Sequence, residues 1–266
     1  MKKYQPLVIG HRGAAALLPE NTLDSFHAAF DTFGADMIEF DVHLTRDHVP
    51  VVIHDATLER TTDGRGYISQ WNLVDLKNLD AGYSFTLSGK NDFPCRGRGI
   101  KIPTLAEVFE TFPKHRFAIE IKEKSSELTH CVASLVKKYK AETFCVAGSK
   151  HDLVSSVLRK TYPGIPRFFS QPEIVMAFLN FRRGVTPKKD SGAVASMPLK
   201  GCHMPFDSEA FIQYLHAKET KVFYWTINDP PMMKTLRDKQ ADGIISDDPG
   251  LAASVIRKCG IDPTDV

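Results

Sequence analysis

Several things are scarce in this chain of 266 residues. Its cysteines, Cys95, Cys131, Cys145, Cys202 and Cys259, are odd in number, widely spaced and form no Cys-x-x-Cys pair. That excludes a disulfide framework and a zinc knuckle. Charge of one sign is scarce too: Lys plus Arg is 34 against 32 for Asp plus Glu, a net charge of +2. So small an excess does not make nucleic acid or an anionic membrane the main partner. Long hydrophobic runs are missing as well. No stretch approaches the roughly 18 apolar residues of a membrane span, and the run after Lys3 is too short for a signal-peptide core. A reducing, cytoplasmic setting without stable membrane insertion is the expectation. Internal repeats and low-complexity linkers are also lacking.

What remains is an ordinary globular composition, 42% hydrophobic and 25% charged, in which short apolar runs alternate with helical stretches, the pattern of a parallel α/β fold. Strands are expected at Leu7–Gly10, Met37–Val42, Arg116–Lys122, Thr143–Ala147, Arg167–Ser170, Ala193–Ser196, Val222–Thr226 and Gly243–Ser246. Helices fit between them, most clearly at Leu23–Phe33, Leu105–Phe112, Glu127–Lys140, Asp152–Thr161, Ser208–Lys218 and Pro249–Lys258. Eight such strands predict a closed (β/α)₈ barrel formed by residues 1–266 as one catalytic domain.

One segment breaks the alternation. Val49–His54 follows the second strand too closely for a crossover helix and reads as a hairpin turning at Thr45-Arg46-Asp47-His48. Pairing Leu44 with Val49 would place His54 across from Glu39. Residues 55–103 then form a long excursion rich in turn residues, expected to be a functional cap inserted after the second strand.

Charged residues inside the apolar strands point to chemistry. In Ile38-Glu39-Phe40-Asp41-Val42 both carboxylates take one face, and in Ile119-Glu120-Ile121-Lys122 the same alternation points Glu120 and Lys122 together. Three carboxylates near barrel strand ends need compensating charge. A hard divalent cation, Mg²⁺ or Ca²⁺, supplies it through oxygen ligands; rim salt bridges to Lys122, Arg12 and Arg46 would do so without metal. His11-Arg12-Gly13 follows the first strand and His54-Asp55 ends the hairpin. Two imidazoles beside a bound anion suit acid–base cleavage of a phosphodiester, one taking a proton from the attacking oxygen and the other protonating the leaving alcohol. Arg12 offers a planar fork for phosphate oxygens, Lys122 a point charge.

Gly10-His11-Arg12-Gly13, Pro19-Glu20-Asn21-Thr22, Glu39-Phe40-Asp41-Val42, Val52-Ile53-His54-Asp55 and Ile119-Glu120-Ile121-Lys122 resemble motifs of the glycerophosphodiester phosphodiesterase family. So do Leu58-Glu59-Arg60-Thr61-Thr62, Leu79-Asp80-Ala81-Gly82, Ile102-Pro103-Thr104-Leu105, Trp225-Thr226-Ile227-Asn228 and Gly243-Ile244-Ile245-Ser246-Asp247. The resemblance runs in order from residue 7 to about 250 and is nearest to the soluble bacterial-type members. It implies a TIM barrel with a cap after the second strand, and hydrolysis of glycerophosphodiesters to glycerol 3-phosphate and an alcohol. It implies Glu39, Asp41 and Glu120 as metal ligands, His11 and His54 as the acid–base pair, and Arg12 and Lys122 as phosphate contacts. The implied partner is a small-molecule glycerophosphodiester, cleaved through a cyclic phosphate; the oligomeric state is left open.

Other residues carry weaker signals. Gly148-Ser149-Lys150-His151 puts a cation where the family often has an aromatic residue, which bears on headgroup preference. The Arg96-Gly97-Arg98-Gly99 turn could attract anions or be a plain loop, and the basic segment Arg182–Ser191, with Arg183, Lys188 and Lys189, reads as a solvated helix end. His43 shares the strand face of Glu39 and Asp41 and is a candidate for the metal or the hairpin, and His203 reads as a loop histidine. Trp225 is a possible wall of the substrate pocket, while Asn21 and Thr22 read as a helix cap. Two alternative functions stand beside the first: lysophospholipase D-type cleavage of lysophospholipids, and a non-catalytic barrel scaffold.

Overall fold

The computed structural model describes residues 4–87, 89, 92–201 and 204–257; Cys202, His203, Lys258 and Cys259 lie outside them. Eight parallel strands close on themselves: β1 (Leu7–His11), β2 (Met37–Leu44), β4 (Phe117–Ile121), β5 (Cys145–Gly148), β6 (Arg167–Phe168), β7 (Ala193–Met197), β10 (Lys221–Tyr224) and β11 (Gly243–Ser246). Pairing of β1 with both β2 and β11 seals the barrel. A hairpin strand β3 (Pro50–Val52) and a small ribbon of β8 (Lys200–Gly201) and β9 (Met204–Pro205) lie outside the ring.

The helices are α1 (Leu23–His27), α2 (Leu73–Leu76), α3 (Leu105–Thr111), α4 (Ser126–Lys138), α5 (Asp152–Thr161), α6 (Gln171–Arg182), α7 (Glu209–Ala217), α8 (Pro230–Asp238) and α9 (Pro249–Arg257). The single helix expected over Leu23–Phe33 instead relaxes into a π-helical turn at Ala28–Thr32, where Phe33 N–H donates to the Ala28 carbonyl. α6 and α8 supply helices whose boundaries the sequence hides. α6 is apolar around most of its circumference and displays no clean amphipathic period, whereas α8 buries Met233 and Leu236 on one face but opens on Pro230-Pro231, a pair that reads as a turn as readily as a helix start. β6 is shorter than expected because Ser170 turns away to cap α6, accepting from Glu173 N–H in a capping box.

The barrel obeys the period of two. Leu7, Ile9, Met37, Ala118, Val146, Phe168, Val194, Phe223 and Ile245 point inward and fill its centre as one apolar plug, to which every strand contributes. The outward set of β2 and β4, Ile38, Phe40, Val42, Phe117, Ile119 and Ile121, packs under α1, α3 and α4. Phe40 is wholly buried, its ring 5.5 Å from that of Phe26 and 5.5 Å from that of Phe117.

The hairpin register differs by one residue from that expected. Leu44 pairs with Pro50 and Val42 with Val52, while Thr45 N–H donates to the Val49 carbonyl. The loop is therefore Arg46-Asp47-His48, with His48 left-handed at φ 61°, a three-residue turn that uses one more residue than the shorter closure. Ile53 N–H reaches the Asp41 carbonyl, so His54 falls beyond the ladder rather than opposite Glu39. Val42 pairs with both Val52 and Ile121, which puts β3 on the edge of β2 that β1 has vacated.

Residues 55–103 leave and return at one point, where Val52 N–H donates to the Pro103 carbonyl and Val51 bridges Thr104. The excursion has its own apolar centre of Leu58, Ile68, Leu76, Cys95, Ile100 and Ile102 against Val51 and Ile53. Arg96 is ordered by two aromatic rings: its guanidinium lies 3.9 Å from the Tyr83 ring centroid and 3.7 Å from that of Phe93. Among the described residues no helix is long and apolar enough to cross a membrane.

Candidate active site

Two residues beyond the apolar plug, the same inward positions turn polar: His11, Glu39, Glu120, Ser196 and Asp247 stand there, with Gly148 and Trp225. One further step along β2 brings Asp41. Register puts His11 beside Glu39 and Asp41 beside Glu120. Carboxylate oxygens of Glu39, Asp41 and Glu120 lie within 4.8 Å of one another. Glu39 and Glu120 open into a cavity of ≈ 420 Å³, while Asp41 is buried; the polar side of the cavity includes His11, Arg12, Glu39, His54, Glu120, Lys122 and Lys150. Its apolar side includes Phe168, Phe169, Ile174, Val175, Phe206 and Trp225.

Glycines make the approach of the first loop possible. A Cβ on Gly10 would stand 2.2 Å from the Gly13 carbonyl oxygen, and Gly13, at φ 94°, would meet Ser25 Oγ at 2.4 Å. Arg12 between them is left-handed at φ 51°, and its backbone N–H donates to the Glu39 carbonyl. Its Nη1 donates to Glu20 Oε1 at 2.9 Å. Its Nε, 3.3 Å from Asp41 Oδ2, is buried and makes no hydrogen bond. Lys122 Nζ lies 3.1 Å from Asp41 Oδ1 and 3.0 Å from Glu120 Oε2. The rim salt bridges expected of Lys122 and Arg12 therefore form, but Arg46 does not join them; its Nε donates to Asn72 Oδ1.

The charges do not balance within the cluster. Burial would raise the Asp41 carboxyl, yet Lys122 and Arg12 outweigh it and hold Asp41 below its ordinary value. At Glu39 the balance reverses: burial and the neighbouring charges of Asp41 and Glu120 outweigh Arg12 and Lys122 and push its carboxyl well up. Three converging oxygens with one under-compensated carboxylate fit a hard divalent cation, which takes oxygen ligands and supplies the missing charge.

Both histidines carry a carboxylate on Nδ1. His11 Nδ1 lies 2.6 Å from Asp247 Oδ1, and His54 Nδ1 lies 2.5 Å from Asp55 Oδ1. That leaves Nε2 of each ring for the cavity; His11 Nε2 is 3.9 Å from Glu39 Oε2. Against the upward push of burial, hydrogen bonds to His11 and Asn228 hold the Asp247 carboxyl low. Against burial too, Arg60 and His54 hold Asp55 at about 2. His43 goes to the hairpin and Glu123 rather than to the cluster of Glu39, Asp41 and Glu120: Nε2 lies 3.0 Å from the His54 carbonyl and Nδ1 3.1 Å from Glu123 Oε1.

The family model described as "Glycerophosphoryl diester phosphodiesterase family" matches residues 11–251. The chain belongs to that family. It is 32% identical to a glycerophosphodiester phosphodiesterase of Caldanaerobacter subterraneus subsp. tengcongensis over 96% of this chain and 99% of the relative. It is 30% identical to the Homo sapiens protein named lysophospholipase D GDPD1, over 91% of this chain and 83% of that one. Among solved structures, an Oleispira antarctica phosphodiesterase in complex with the product sn-glycerol-3-phosphate superposes with a TM-score of 0.77 at 26% identity, covering 96% and 98% of the two chains. A Mycobacterium tuberculosis glycerophosphoryl diester phosphodiesterase domain, at 21% identity and a TM-score of 0.83 over 93% and 98%, shares the fold.

Every residue expected at this phosphodiesterase's site is brought to one place, Trp225 included, on the cavity wall and 44% exposed. Several partners went unnoticed as functional. Asn21 is not a cap: Thr22 accepts from Ser25 N–H, whereas Asn21 Nδ2 donates to Asp41 Oδ2 at 3.0 Å. Asp247, Asp55, Glu20 and Arg60 lay inside the family motifs, but nothing in their spacing told which side chain each would meet. Arg182, Arg183, Lys188 and Lys189 are exposed at the end of α6 and beyond, away from the cavity wall. Lys150, the departure after β5, does line the cavity.

Proposed function

We propose that this phosphodiesterase converts glycerophosphodiesters to glycerol 3-phosphate and an alcohol, with His11 and His54 moving the protons and Glu39, Asp41 and Glu120 holding one divalent cation, Mg²⁺ or Ca²⁺. The observation that carries the reading is the pairing of two cavity histidines, each oriented through Nδ1 by a carboxylate, around a three-carboxylate cluster. When bound, the cation supplies Lewis-acid polarisation of the phosphate and acidifies the glycerol hydroxyl. Arg12 and Lys122, both on the cavity wall, bind phosphate oxygens. One histidine takes the proton of the glycerol hydroxyl as its oxygen attacks phosphorus, and the other protonates the departing alkoxide, leaving a cyclic phosphate. Water then opens the ring with the two proton transfers reversed. Trp225 walls the glycerol. The free thiols of Cys95, Cys131 and Cys145 accord with a reducing, cytoplasmic setting.

The cavity's apolar side supports a second substrate reading, lysophospholipids, because Phe168, Phe169, Ile174, Val175, Phe206 and Trp225 offer more apolar wall than a glycerol needs. One experiment tests both: glycerol 3-phosphate release from glycerophosphocholine by purified enzyme, with EDTA and then with Mg²⁺ or Ca²⁺ restored, run beside lysophosphatidylcholine. Loss with EDTA and recovery with either cation is expected. Activity indifferent to EDTA removes the cation from the proposal, and turnover of the lysolipid alone replaces the first substrate class with the second.

A further inference from the structure

Two motifs contribute residues that do no chemistry in this proposal: Glu20, before α1, and Arg60, within residues 55–103. The structure joins them. Arg60 Nη1 donates to Glu20 Oε2 at 2.8 Å and Nη2 to Glu20 Oε1 at 2.7 Å, a two-point fork between loops 40 residues apart. The other side of the same guanidinium holds Asp55, from Nε at 2.5 Å and Nη2 at 3.3 Å. Asp55 holds His54 Nδ1, and Glu20 accepts from Arg12 Nη1. A continuous chain therefore runs His54–Asp55–Arg60–Glu20–Arg12, from an acid–base ring to a phosphate fork.

Neither end of the tether is a loose surface group. Leu58, two residues before Arg60, is fully buried, and Thr62 closes the turn with its N–H and Oγ1 both donating to the Leu58 carbonyl. Glu20 sits between Pro19, whose carbonyl accepts from Thr22 Oγ1, and Asn21, whose N–H donates to the Arg12 carbonyl. Two cations face two carboxylates, so the chain adds no net charge to the site. What it supplies is position, because only a planar fork can satisfy two carboxylates at fixed angles.

We infer that Glu20 and Arg60 are positioning residues, a latch that fastens the 55–103 excursion to the barrel and holds the His54 ring and the Arg12 guanidinium in one frame around the phosphate. The inference rests on the catalytic reading of His54 and Arg12. Displacing a catalytic group by about 1 Å costs on the order of 100-fold, and supporting groups one step removed typically cost 10- to 100-fold.

The test is kcat for glycerol 3-phosphate release, at saturating cation, by wild type, Arg60→Ala, Arg60→Lys, His54→Ala and the double variant His54→Ala/Arg60→Ala. Arg60→Ala and Arg60→Lys should both fall about 10- to 100-fold in kcat, since one ammonium cannot span Glu20 and Asp55. Guanidinium ion at millimolar concentration should restore part of the activity of Arg60→Ala but not of Arg60→Lys, an outcome that a general loss of folding would not produce. In the His54→Ala background, Arg60→Ala should cost far less than it does alone. Near-normal kcat in Arg60→Lys overturns the latch even if Arg60→Ala fails to fold, and full additivity with His54→Ala overturns the coupling. A fully active His54→Ala enzyme instead overturns the catalytic reading, so the two failures are told apart.

Discussion

Replacing Asp247 by Asn is the sharpest perturbation of this site, because it keeps shape while changing what His11 meets. Asn228 is locked in orientation. Its Oδ1 accepts from Asp247 N–H at 3.0 Å and from Ser246 Oγ at 3.0 Å, so its Nδ2 must donate to Asp247 Oδ2, at 2.6 Å. An asparagine at 247 has one oxygen and one amino group to offer. With its oxygen toward Asn228, the amino group faces His11 Nδ1 and forces the proton onto Nε2, the nitrogen that works in the cavity. With its oxygen toward His11, two amino groups confront each other and Asn228 loses its acceptor. That second arrangement costs about 1 kcal/mol, the low end for an unpaired donor because Asn228 is exposed. Losing the charge-assisted bond to the imidazole costs about 2 kcal/mol more. The sum of about 3 kcal/mol predicts a fall in kcat of roughly 100-fold. Initial rates of glycerol 3-phosphate release at saturating substrate and cation measure it. Asp247→Asn/Asn228→Ala should recover about fivefold, because the amide is then free to turn its oxygen to His11. A single variant within twofold of wild type, or a double variant slower than the single, refutes the tautomer argument.

Three further outcomes follow from the same geometry. His11→Ala and His54→Ala should each lower kcat by roughly 10²- to 10⁴-fold with the melting temperature little changed, and near-normal turnover in either would strip that histidine of its role. Asp242 accepts from Val222 N–H and Tyr4 OH, at 2.8 and 2.7 Å, and pairs with His216 Nε2 at 2.8 Å; against burial, these hold its carboxyl below the ordinary value. A depressed carboxyl contributes stability that is present above its unfolded value of about 3.9 and is lost as pH falls through the folded one. Asp242→Asn should therefore melt below wild type at pH 7, with the gap narrowing at pH 3; a gap that widens in acid reverses the assigned sign. Phe40→Ala, emptying the contact with Phe26 and Phe117, should cost about 3–5 kcal/mol in urea denaturation, and a loss under about 1 kcal/mol would mean that the core closes over the void.

Much of this protein was legible in its sequence because its period-two signal is strong. Glu39 and Asp41 alternate with Ile38, Phe40 and Val42, and Glu120 and Lys122 with Ile119 and Ile121, so each strand announces which residues share the inner face. The glycines of Gly10-His11-Arg12-Gly13 likewise mark a backbone approach that admits no Cβ. Local rules of this kind act over a few residues and are written in order along the chain. Their reach explains the misses. The hairpin register turned on a single residue in the Arg46–His48 turn, α6 lost its helical period in the apolar run from Ile174 to Leu179, and Ser170 left its strand to cap a helix. Beyond that lies what only the tertiary structure decided: that Asp247 meets His11 from 236 residues away and that Arg60 meets Glu20 across 40. Hydrogen-bond partners of this kind depend on side-chain direction and distance to within a few tenths of an ångström. Closure of the ring sets those distances, by bringing β11 against β1 and the excursion back to the edge of β2.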